Sequence, residues 1–203
     1  MDLCDQQLQE IRDQVVNCRK CPLYRERHCP VVGEGNHRAQ IMFIGEAPGR
    51  QEDASGHPFC GAAGQILNQV LEAVGLKRED VYIANILKCR PPGNRNPLAE
   101  EIKACGPYLN RQIEIIQPQV ICPMGNFATQ YLIKKYGLES LASQNGKLLG
   151  ISRLRGRVFE TNDLLEPSRK IVPLYHPAVA TYNANLKPVL IKDYQVAADF
   201  LKN

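Results

Sequence analysis

Residues 45–67 have the sequence GEAPGRQEDASGHPFCGAAGQIL. The stretch follows an apolar run, IMFI at 41–44, and leads into residues whose apolar side chains recur with helical spacing. Glycine, proline and carboxylate residues therefore occupy a junction between a predicted strand and a predicted helix. In open α/β sheets, ligands bind at such junctions, and glycines there let the backbone approach a ligand closely. The stretch predicts an α/β fold with a ligand site at this junction.

Predicted strands and helices alternate along the rest of the chain. Short apolar runs indicate buried strands, and apolar residues with a period of 3.6 indicate helices. The alternation predicts a parallel sheet with helices on both faces, in a single domain that spans 1–203. The predicted strands are 41–45, 81–87, 120–123 and 170–177, and the predicted helices are 5–17, 63–74, 98–116, 126–136 and 187–201.

The composition is that of an ordinary globular protein, with 44% apolar and 23% charged residues among 203. The sequence contains no run of apolar residues long enough for a membrane-spanning helix. Residues 1–14 are polar and acidic, unlike a secretory signal, so we expect an intracellular, cytoplasmic protein. The net charge of +4 permits a polyanionic partner without requiring one.

Eight cysteines are many for a protein of a reducing compartment, and they indicate metal or redox chemistry more than disulfides. Cys18 and Cys21 form a C-x2-C pair, and Cys89 and Cys105 flank a later loop and helix. Four thiolates complete a site for zinc or for an iron–sulfur cluster, and the residues alone do not distinguish the two. Cys29 is a competing ligand by position. The remaining cysteines are predicted to be small buried apolar groups, namely Cys4, Cys29, Cys60 and Cys122.

Three motifs are interleaved with these cysteines. They are GEAPGRQED-x4-PF-x-G-x-AG at 45–64, YIANILKCRPPGNRNP at 82–97 and YHPA at 175–178. Together with the four cysteines they resemble the family-4 uracil-DNA glycosylases, and the similarity extends from about Cys18 to the final helix. Each motif alone is a weak signal, whereas the ordered combination is specific.

This resemblance implies a three-layer α/β/α sandwich with a central four-stranded parallel sheet. It also implies a [4Fe–4S] cluster on Cys18, Cys21, Cys89 and Cys105, and hydrolysis of the N-glycosidic bond of uracil in DNA to leave an abasic site. The expected partner is uracil-containing DNA, single- or double-stranded, in the nucleoid, and a sliding clamp is a further candidate. We expect a monomer without membrane association.

A glycosylase must bind its target base outside the base stack, which requires a pocket. Phe59 has a flat ring suited to stack on the flipped base, although it could instead pack in the core. The amide of Asn85 matches the O4 acceptor and N3–H donor of uracil, where cytosine has the opposite pattern, and its alternative role is a turn cap. His176 is placed to donate to uracil O2, where negative charge develops, although a lone histidine is more often structural.

The opening stretch supplies carboxylates and small residues around this pocket. Glu52 and Asp53 are candidates to hold the attacking water or to offset an oxocarbenium-like sugar, and the resemblance favours Glu52 over a solvated loop charge. Glu46 is expected near uracil C5, where it would exclude the methyl group of thymine. Gly45 lets the backbone approach the base. Family-1 relatives have an aspartate where this chain has Ala47, so an aspartate-activated water at that position is excluded.

Further residues are candidates to hold the DNA outside the base pocket. Residues 178–183 follow the YHP motif and are expected to fill the space left by the flipped base, with Tyr182 as the inserted side chain. Some relatives have Leu-Arg near there, where this chain has Thr181 and Tyr182. The candidate DNA contacts are Lys88, Arg90, Asn94, Arg95, Ala178 and Tyr182.

Two further features concern the type of reaction. A related family that traps DNA covalently has a Lys-Arg-Arg-Ile-His insert after its second strand, whereas this chain has CRPPGNRNPLAEE at 89–101. We therefore expect catalytic turnover and no covalent trapping of the DNA. No lysine is evident as a nucleophile, so we expect an abasic product without strand cleavage.

Two alternatives are left open by the residues. The first is a non-catalytic iron–sulfur module that binds nucleic acid on the same fold, would bind DNA independently of uracil and would not need His176. The second is a zinc-stabilised hydrolase for another base or nucleotide, which would lack the colour of an iron–sulfur cluster.

Overall fold

A computed structural model of the chain describes residues 2–161 and 167–201. The helices are α1 (Leu3–Val16), α2 (Arg50–Ser55), α3 (Ala62–Ala73), α4 (Ala99–Ile116), α5 (Asn126–Lys135), α6 (Ile151–Leu154), α7 (Val179–Tyr182) and α8 (Lys187–Ala198). The strands are β1 (Glu34–Gly35), β2 (Ile41–Gly45), β3 (Tyr82–Asn85), β4 (Val120–Pro123), β5 (Ser143–Gln144), β6 (Lys147–Leu148), β7 (Phe159–Glu160) and β8 (Lys170–Ile171). Short 3₁₀ turns lie at Pro22–Arg25, Arg78–Asp80, Pro92–Asn94, Ala184–Leu186 and Asp199–Leu201.

The central sheet contains six strands in the order β1-β3-β2-β4-β8-β7. The four strands β3, β2, β4 and β8 are parallel, as predicted, whereas β1 and β7 pair antiparallel at the two edges. The expected four-stranded sheet is therefore corrected to a mixed six-stranded one. Each edge strand has two residues, and two residues are too few to produce a recognisable alternation of apolar and polar side chains.

The fourth parallel strand is shorter than the predicted range of 170–177. Regular pairing of β8 ends after Ile171, because Pro173 has no N–H group to donate. Hydrogen bonds from the backbone N–H groups of Val172 and Leu174 to β4 continue the alignment beyond that point. The chain is thereby directed toward His176 at the carboxyl edge of the sheet.

Two apolar clusters cover the two faces of the sheet. Residues of β2 alternate between them: Met42 and Ile44 point to one face, and Ile41 and Phe43 point to the other. The first cluster includes buried residues of α1, α4 and α5, and the second includes buried residues of α3 and α8. This arrangement confirms the predicted three layers, with the sheet between two helical layers.

The five helices predicted from periodicity are present, and their ends differ from the prediction by a few residues. The additional helix α2 was expected to be part of a loop. Its residues, RQEDAS, contain no apolar periodicity, and it lies between Gly49 and Gly56, the latter at φ +78°. In the described part of the chain, no helix is long and apolar enough to span a bilayer.

The register of the central strands positions the loops that follow them. Gly45, the last residue of β2, lies opposite Asn85, the last residue of β3. The loop that contains the GEAPG motif and the segment that contains Cys89 therefore leave the sheet side by side. Parallel strands of equal register place their carboxyl-end loops on one edge, where α/β proteins bind ligands.

Candidate active site

The carboxyl ends of β2 and β3 open into a cavity of about 440 Å³. This volume lies within the range of small-molecule sites. The cavity brings together residues that are far apart in the chain, because four segments meet there: the loop after β2, the start of α3, the segment after β3 and the segment before α7. Of the side chains predicted for base binding and reaction, those that line it are Glu46, Ala47, Glu52, Phe59, Asn85 and His176.

Phe59 is held in an unusual backbone conformation at the wall of this cavity. Its φ is +49°, in the left-handed region that bulky residues seldom adopt, and its side chain is buried. A Cβ atom added to Gly45 would lie 2.8 Å from Cζ of the Phe59 ring, and one added to Gly64 would overlap the Phe59 carbonyl oxygen. The two glycines therefore provide the space in which this ring lies. The ring centroid is 5.3 Å from that of His176.

Asn85 ends β3 with its side chain directed into the same space. The residue is 2% exposed, and its Oδ1 has no hydrogen-bond partner among the described residues. A Cβ atom at Gly45 would overlap this oxygen, so the glycine is required on the opposite strand. Buried polar atoms are nearly always hydrogen-bonded, so this oxygen is available to a donor from a ligand or a water in the cavity.

His176 is half-buried at the cavity wall, and its tautomer follows from its contacts. The backbone N–H of Ala178 donates to Nδ1 at 3.2 Å, so Nδ1 is an acceptor and the proton lies on Nε2. Enclosure by protein atoms lowers the pKa of the imidazole to about 4, and the nearby charge of Glu52 opposes this shift only in part. At neutral pH the residue is therefore an uncharged N–H donor.

The two neighbouring carboxylates of α2 have different environments. Oε1 of Glu52 accepts a hydrogen bond from the backbone N–H of Gly61 at 3.3 Å, and the side chain lines the cavity. Asp53 is buried away from it, where its carboxylate accepts the backbone N–H of His28 at 3.1 Å and pairs with His28 Nδ1 at 2.8 Å. Asp53 is thus a structural residue, and Glu52 is the carboxylate available for chemistry.

Glu46 and Ala47 lie side by side on the loop after β2. Burial raises the pKa of the Glu46 carboxyl above its ordinary value. The carbonyl oxygens of Gly45 and Glu46 accept the backbone N–H groups of Ile86 and Leu87, so this loop continues the alignment of β2 and β3. The methyl group of Ala47 offers no hydrogen bond to the cavity.

Lys88 does not contact DNA phosphate, and this prediction is wrong. Its side chain is 1% exposed, and Nζ donates to the carbonyl oxygen of Asn85 at 2.9 Å and to Oε1 of Gln112 at 2.7 Å. Gln112 donates in turn to the carbonyl oxygen of Val32 and to the hydroxyl of Tyr82. The lysine is long enough to fold back under β3, where burial lowers the pKa of its ammonium group to about 8.

The other candidate DNA contacts differ in whether their side chains are already paired within the protein. Arg95 forms a two-point ion pair with buried Glu101, at 2.6 and 3.0 Å, so much of its charge is balanced within the protein. Arg90 donates to the side chain of Asn94 at 2.7 Å and has no carboxylate partner among the described residues. Asn94, Arg95 and Ala178 line the cavity. Tyr182, at the end of α7, is 90% exposed.

The four predicted cluster ligands line a second, apolar cavity between α1, α4 and the segment after β3. Arg27 Nη1 donates to Cys89 Sγ at 3.2 Å, and the backbone N–H of Lys88 donates to Cys105 Sγ at 3.2 Å. The competing thiol of Cys29 lies elsewhere, near the Ala54 carbonyl. No group of three or more His, Cys, Asp or Glu side chains within residues 2–161 and 167–201 is arranged to hold a metal ion. The four thiols line the same space.

The other cysteines bear out the prediction of buried apolar groups only in part. Cys122 is fully buried in β4, as expected. Cys4 and Cys29 are half-buried. Cys60 is exposed and its prediction is wrong, because the loop that follows Phe59 turns this side chain outward beside Ser55.

A sequence model described as the Uracil DNA glycosylase superfamily matches residues 32–197. The chain belongs to this superfamily. The matched range contains all three motifs and every residue that lines the first cavity.

Within the superfamily, the chain is similar to proteins named type-4 uracil-DNA glycosylase. That of Archaeoglobus fulgidus is 44% identical over 188 residues, which cover 93% of this chain and 90% of the relative. That of Saccharolobus solfataricus is 45% identical over 194 residues, with coverage of 95% and 86%. That of Thermotoga maritima is 39% identical over 194 residues, with coverage of 95% and 93%. These similarities confirm the resemblance to family-4 enzymes.

Several residues of the cavity were not identified from the sequence. Pro48, Ala63 and Pro91 also line it, although they carry no polar or ionisable group. Such residues shape a pocket without reacting, so chemical reasoning about side chains does not select them. Their position inside the glycosylase motifs is the one signal that indicates them.

The environment of His176 predicts an unusual titration. The imidazole should stay neutral, with the proton on Nε2, as the pH falls from 6.5 toward 4, because enclosure disfavours the charged form. The unfolded chain takes up this proton near pH 6.5, so the contribution of His176 to the free energy of unfolding should decline as the pH falls through that window. Nitrogen-15 NMR of the imidazoles measures both tautomer and titration.

His176→Ala identifies the signal, because it removes this imidazole alone. A His176 signal that takes up a proton near pH 6.5, or one with the proton on Nδ1, would contradict this description of the site.

Proposed function

We propose that this superfamily member is a monofunctional uracil-DNA glycosylase, which hydrolyses the N-glycosidic bond of uracil in DNA and leaves an abasic site. The proposal is carried by the buried Oδ1 of Asn85, which has no partner among the described residues and adjoins the ring of Phe59. A buried, unpaired oxygen costs about 1–3 kcal/mol, which a ligand N–H group would recover. The relatives named type-4 uracil-DNA glycosylase support the same assignment.

Recognition of uracil follows from the amide of Asn85 and the ring of Phe59. Oδ1 accepts the N3–H of uracil, and the amide N–H group donates to O4. Cytosine has no N3–H, so the buried Oδ1 of Asn85 would stay unpaired. Cytosine also has an amino group in place of O4, so two hydrogen-bond donors, this amino group and the Asn85 amide N–H, would face each other. The flipped base stacks on Phe59, whose face is kept open by Gly45.

Exclusion of thymine is assigned to the loop after β2. Glu46 and Ala47 line the cavity beside Gly45, and the short connection to β2 leaves this loop little freedom to move away. A methyl group on C5 of the base would have to displace this loop or the Glu46 side chain. Thymine is therefore rejected by its shape, whereas cytosine is rejected by its hydrogen bonds.

Bond cleavage requires stabilisation of the leaving base and delivery of water. Nε2–H of His176 donates to O2 of uracil, where negative charge accumulates as the C1′–N1 bond breaks and its electron pair moves to the base. Glu52 holds the water that adds to C1′ and offsets the positive charge of the sugar. The water's hydroxyl group remains on C1′, and its other proton neutralises the uracil anion, so the products are uracil and an abasic sugar.

The absence of lyase activity follows from the lining of the cavity. No lysine lines it in the described part of the chain, and Lys88 is bound to the Asn85 carbonyl and Gln112 beneath the strand. An amine would be needed to attack C1′ and to form the Schiff base that leads to strand cleavage. The DNA backbone should therefore remain intact.

Binding of the DNA backbone is assigned to the segment after β3 and to α7. Arg90 is the arginine of this segment without a carboxylate partner among the described residues, and Asn94 lies beside it. Arg95 has a smaller electrostatic role because Glu101 neutralises it. The exposed ring of Tyr182 lies at the end of the helix that begins after Ala178, where it would occupy the place of the flipped base.

We also propose that Cys18, Cys21, Cys89 and Cys105 hold a [4Fe–4S] cluster. Four thiols around one apolar cavity are the donor set of such a cluster. Zinc accepts the same four thiolates, and the iron content of the purified protein distinguishes the two. When bound, the cluster connects the segment after α1 with α4 and the segment after β3. Arg27 stabilises the charge of Cys89.

The proposed activity predicts excision from oligonucleotides that carry a single uracil. Wild-type protein should release uracil and leave thymine and cytosine intact, with strand breaks appearing only after alkali. His176→Ala should lower kcat by about 10²–10³-fold, because it removes one donor to the developing oxyanion. Asn85→Ala should lower kcat/KM by at least about tenfold, because it removes the amide that pairs with N3–H and O4.

His37→Ala is the matched control, because His37 pairs with Asp5 before the amino end of β2 and should not affect excision. A folded wild-type protein that binds DNA without excising uracil would contradict the enzymatic proposal and would favour the non-catalytic module.

The assignment of the DNA-binding residues predicts a specific salt dependence. Arg90→Ala should lower the slope of log affinity against log salt concentration by about 1, because one phosphate contact is lost. Arg38→Ala removes the same charge at the opposite end of β2, where Arg38 pairs with Asp2, and should leave the slope unchanged. Fluorescence anisotropy with labelled DNA over a series of salt concentrations measures both. Equal slopes for wild type and Arg90→Ala would contradict the contact.

The cluster assignment predicts about four iron atoms per chain and a visible absorbance from the purified protein. Cys89→Ala should lose iron and melt at a lower temperature, because the cluster contributes to folding. Cys60→Ala, at an exposed position, should retain both iron and stability. Elemental analysis and thermal unfolding measure the outcome, and a colourless protein that contains zinc would contradict the assignment.

A further inference from the structure

The loop that presents Phe59 is held from outside the cavity by an arginine that lies 20 residues further along the chain. Arg78 is in the 3₁₀ turn before β3, and its Nη2 donates to the carbonyl oxygen of Pro58 at 2.6 Å. The bond is made to the residue immediately before Phe59. Arg78 is not among the residues that line the base cavity.

Phe59 needs such external support because its own conformation is unfavourable. Its φ of +49° is one that a bulky side chain adopts only when the surrounding structure imposes it. The ring lies close to the backbone of Gly45 and to the imidazole of His176, and the carbonyl group lies against Gly64. A release of the Pro58 carbonyl would let the backbone relax and the ring move off this position.

Arg78 is itself fixed by two further side chains. Its Nη2 pairs with Oε1 of Glu34 at 2.8 Å, and its Nη1 donates to Oδ1 of Asn68 at 3.0 Å. Glu34 also contacts Nδ1 of His57 through Oε2 at 2.8 Å. His57 precedes Pro58, so Glu34 connects to both residues before Phe59: to His57 directly, and to Pro58 through Arg78.

The charge of Glu34 is suited to this connection. Burial tends to raise the pKa of its carboxyl, but hydrogen bonds from Arg78 and His57 outweigh that effect and hold the pKa below the ordinary value. The carboxylate is therefore ionised at neutral pH and keeps the guanidinium oriented. Arg78 therefore pairs with a carboxylate and also donates to a main-chain carbonyl. Together these contacts define the orientation of the guanidinium more closely than a single hydrogen bond would.

We propose that Arg78 is a positioning residue for base stacking: through the Pro58 carbonyl, and oriented by Glu34, it sets the position of the Phe59 ring that receives the flipped base. This inference rests on the proposed function, because it assigns Phe59 to the base. The proposal assigns to a residue outside the pocket an indirect role in binding the flipped base.

A double-mutant cycle tests whether Arg78 acts through Phe59. Arg78→Met keeps the length of the side chain and removes its donors, and it should lower kcat/KM for uracil release by about tenfold, a part of the stacking contribution of one base. In the Phe59→Ala background the same substitution should change kcat/KM by less than about twofold, since the ring to be positioned is gone. Equal losses in both backgrounds would overturn the proposal, because they would show that Arg78 acts on stability or elsewhere.

Two variants provide the controls for this cycle. Lys77→Met removes the same charge from the adjacent residue, whose ammonium lies 3.9 Å from exposed Glu79, and it should leave kcat/KM unchanged. Arg78→Lys retains one cationic donor and should restore part of the lost activity. Thermal unfolding of each variant reports general destabilisation separately. An Arg78→Lys variant no better than Arg78→Met, with an unchanged melting temperature, would contradict the hydrogen-bonding role.

A measurement independent of excision separates this inference from the proposed function. The chain contains five phenylalanines, so fluorophenylalanine labelling gives a small set of fluorine NMR signals, and Phe59→Leu identifies the one of interest. Arg78→Met should shift or broaden this signal and leave the others in place. An unchanged Phe59 signal would overturn the inference even if uracil is excised. A wild-type protein without excision, together with a shifted signal, would overturn the proposed function and leave the positioning role standing.

Discussion

The close approach of two parallel strands at Gly45 and Asn85 is the constraint on which the site depends. The strands pair these two residues directly, and the ring of Phe59 lies against the same glycine. A side chain at position 45 would overlap both the amide oxygen of Asn85 and the aromatic ring. The absence of a Cβ atom therefore allows the amide of Asn85 and the ring of Phe59 to share one cavity.

The five residues from Asn85 to Cys89 connect this cavity with the cysteine site. Asn85 points its amide into the first cavity, and Cys89 lines the second. Between them, the buried ammonium of Lys88 returns to the Asn85 carbonyl, and the Lys88 backbone N–H reaches Cys105. These hydrogen bonds, with that from the ammonium to Gln112, connect the end of β3 to α4. The cluster proposed at the cysteines would thus support the strand end that presents the amide.

Much of this arrangement was predictable, because its signals are local. Apolar runs and helical periodicity located the four parallel strands and five helices, and the glycosylase motifs indicated six of the side chains that line the base cavity. The edge strands β1 and β7 were not predicted, because two residues are too few to form a periodic pattern. The helix α2 was not predicted, because its six residues are mostly polar and have no apolar periodicity. Lys88 was misassigned for a related reason: its charge is visible in the sequence, but its burial is not.

The sequence by itself determined the α/β class, the family and the types of chemical group available, because periodicity, motif order and side-chain chemistry are properties of neighbouring residues. The tertiary structure decided which of these groups face a cavity and which hydrogen bonds and protonation states they have. It separated Glu52 from Asp53 through the contact with His28, placed the proton of His176 through the Ala178 N–H, and brought Arg78 to the loop of Phe59. Each of these outcomes depends on contacts that packing or a backbone turn creates. Burial at such contacts shifts the pKa of a side chain and thereby its charge.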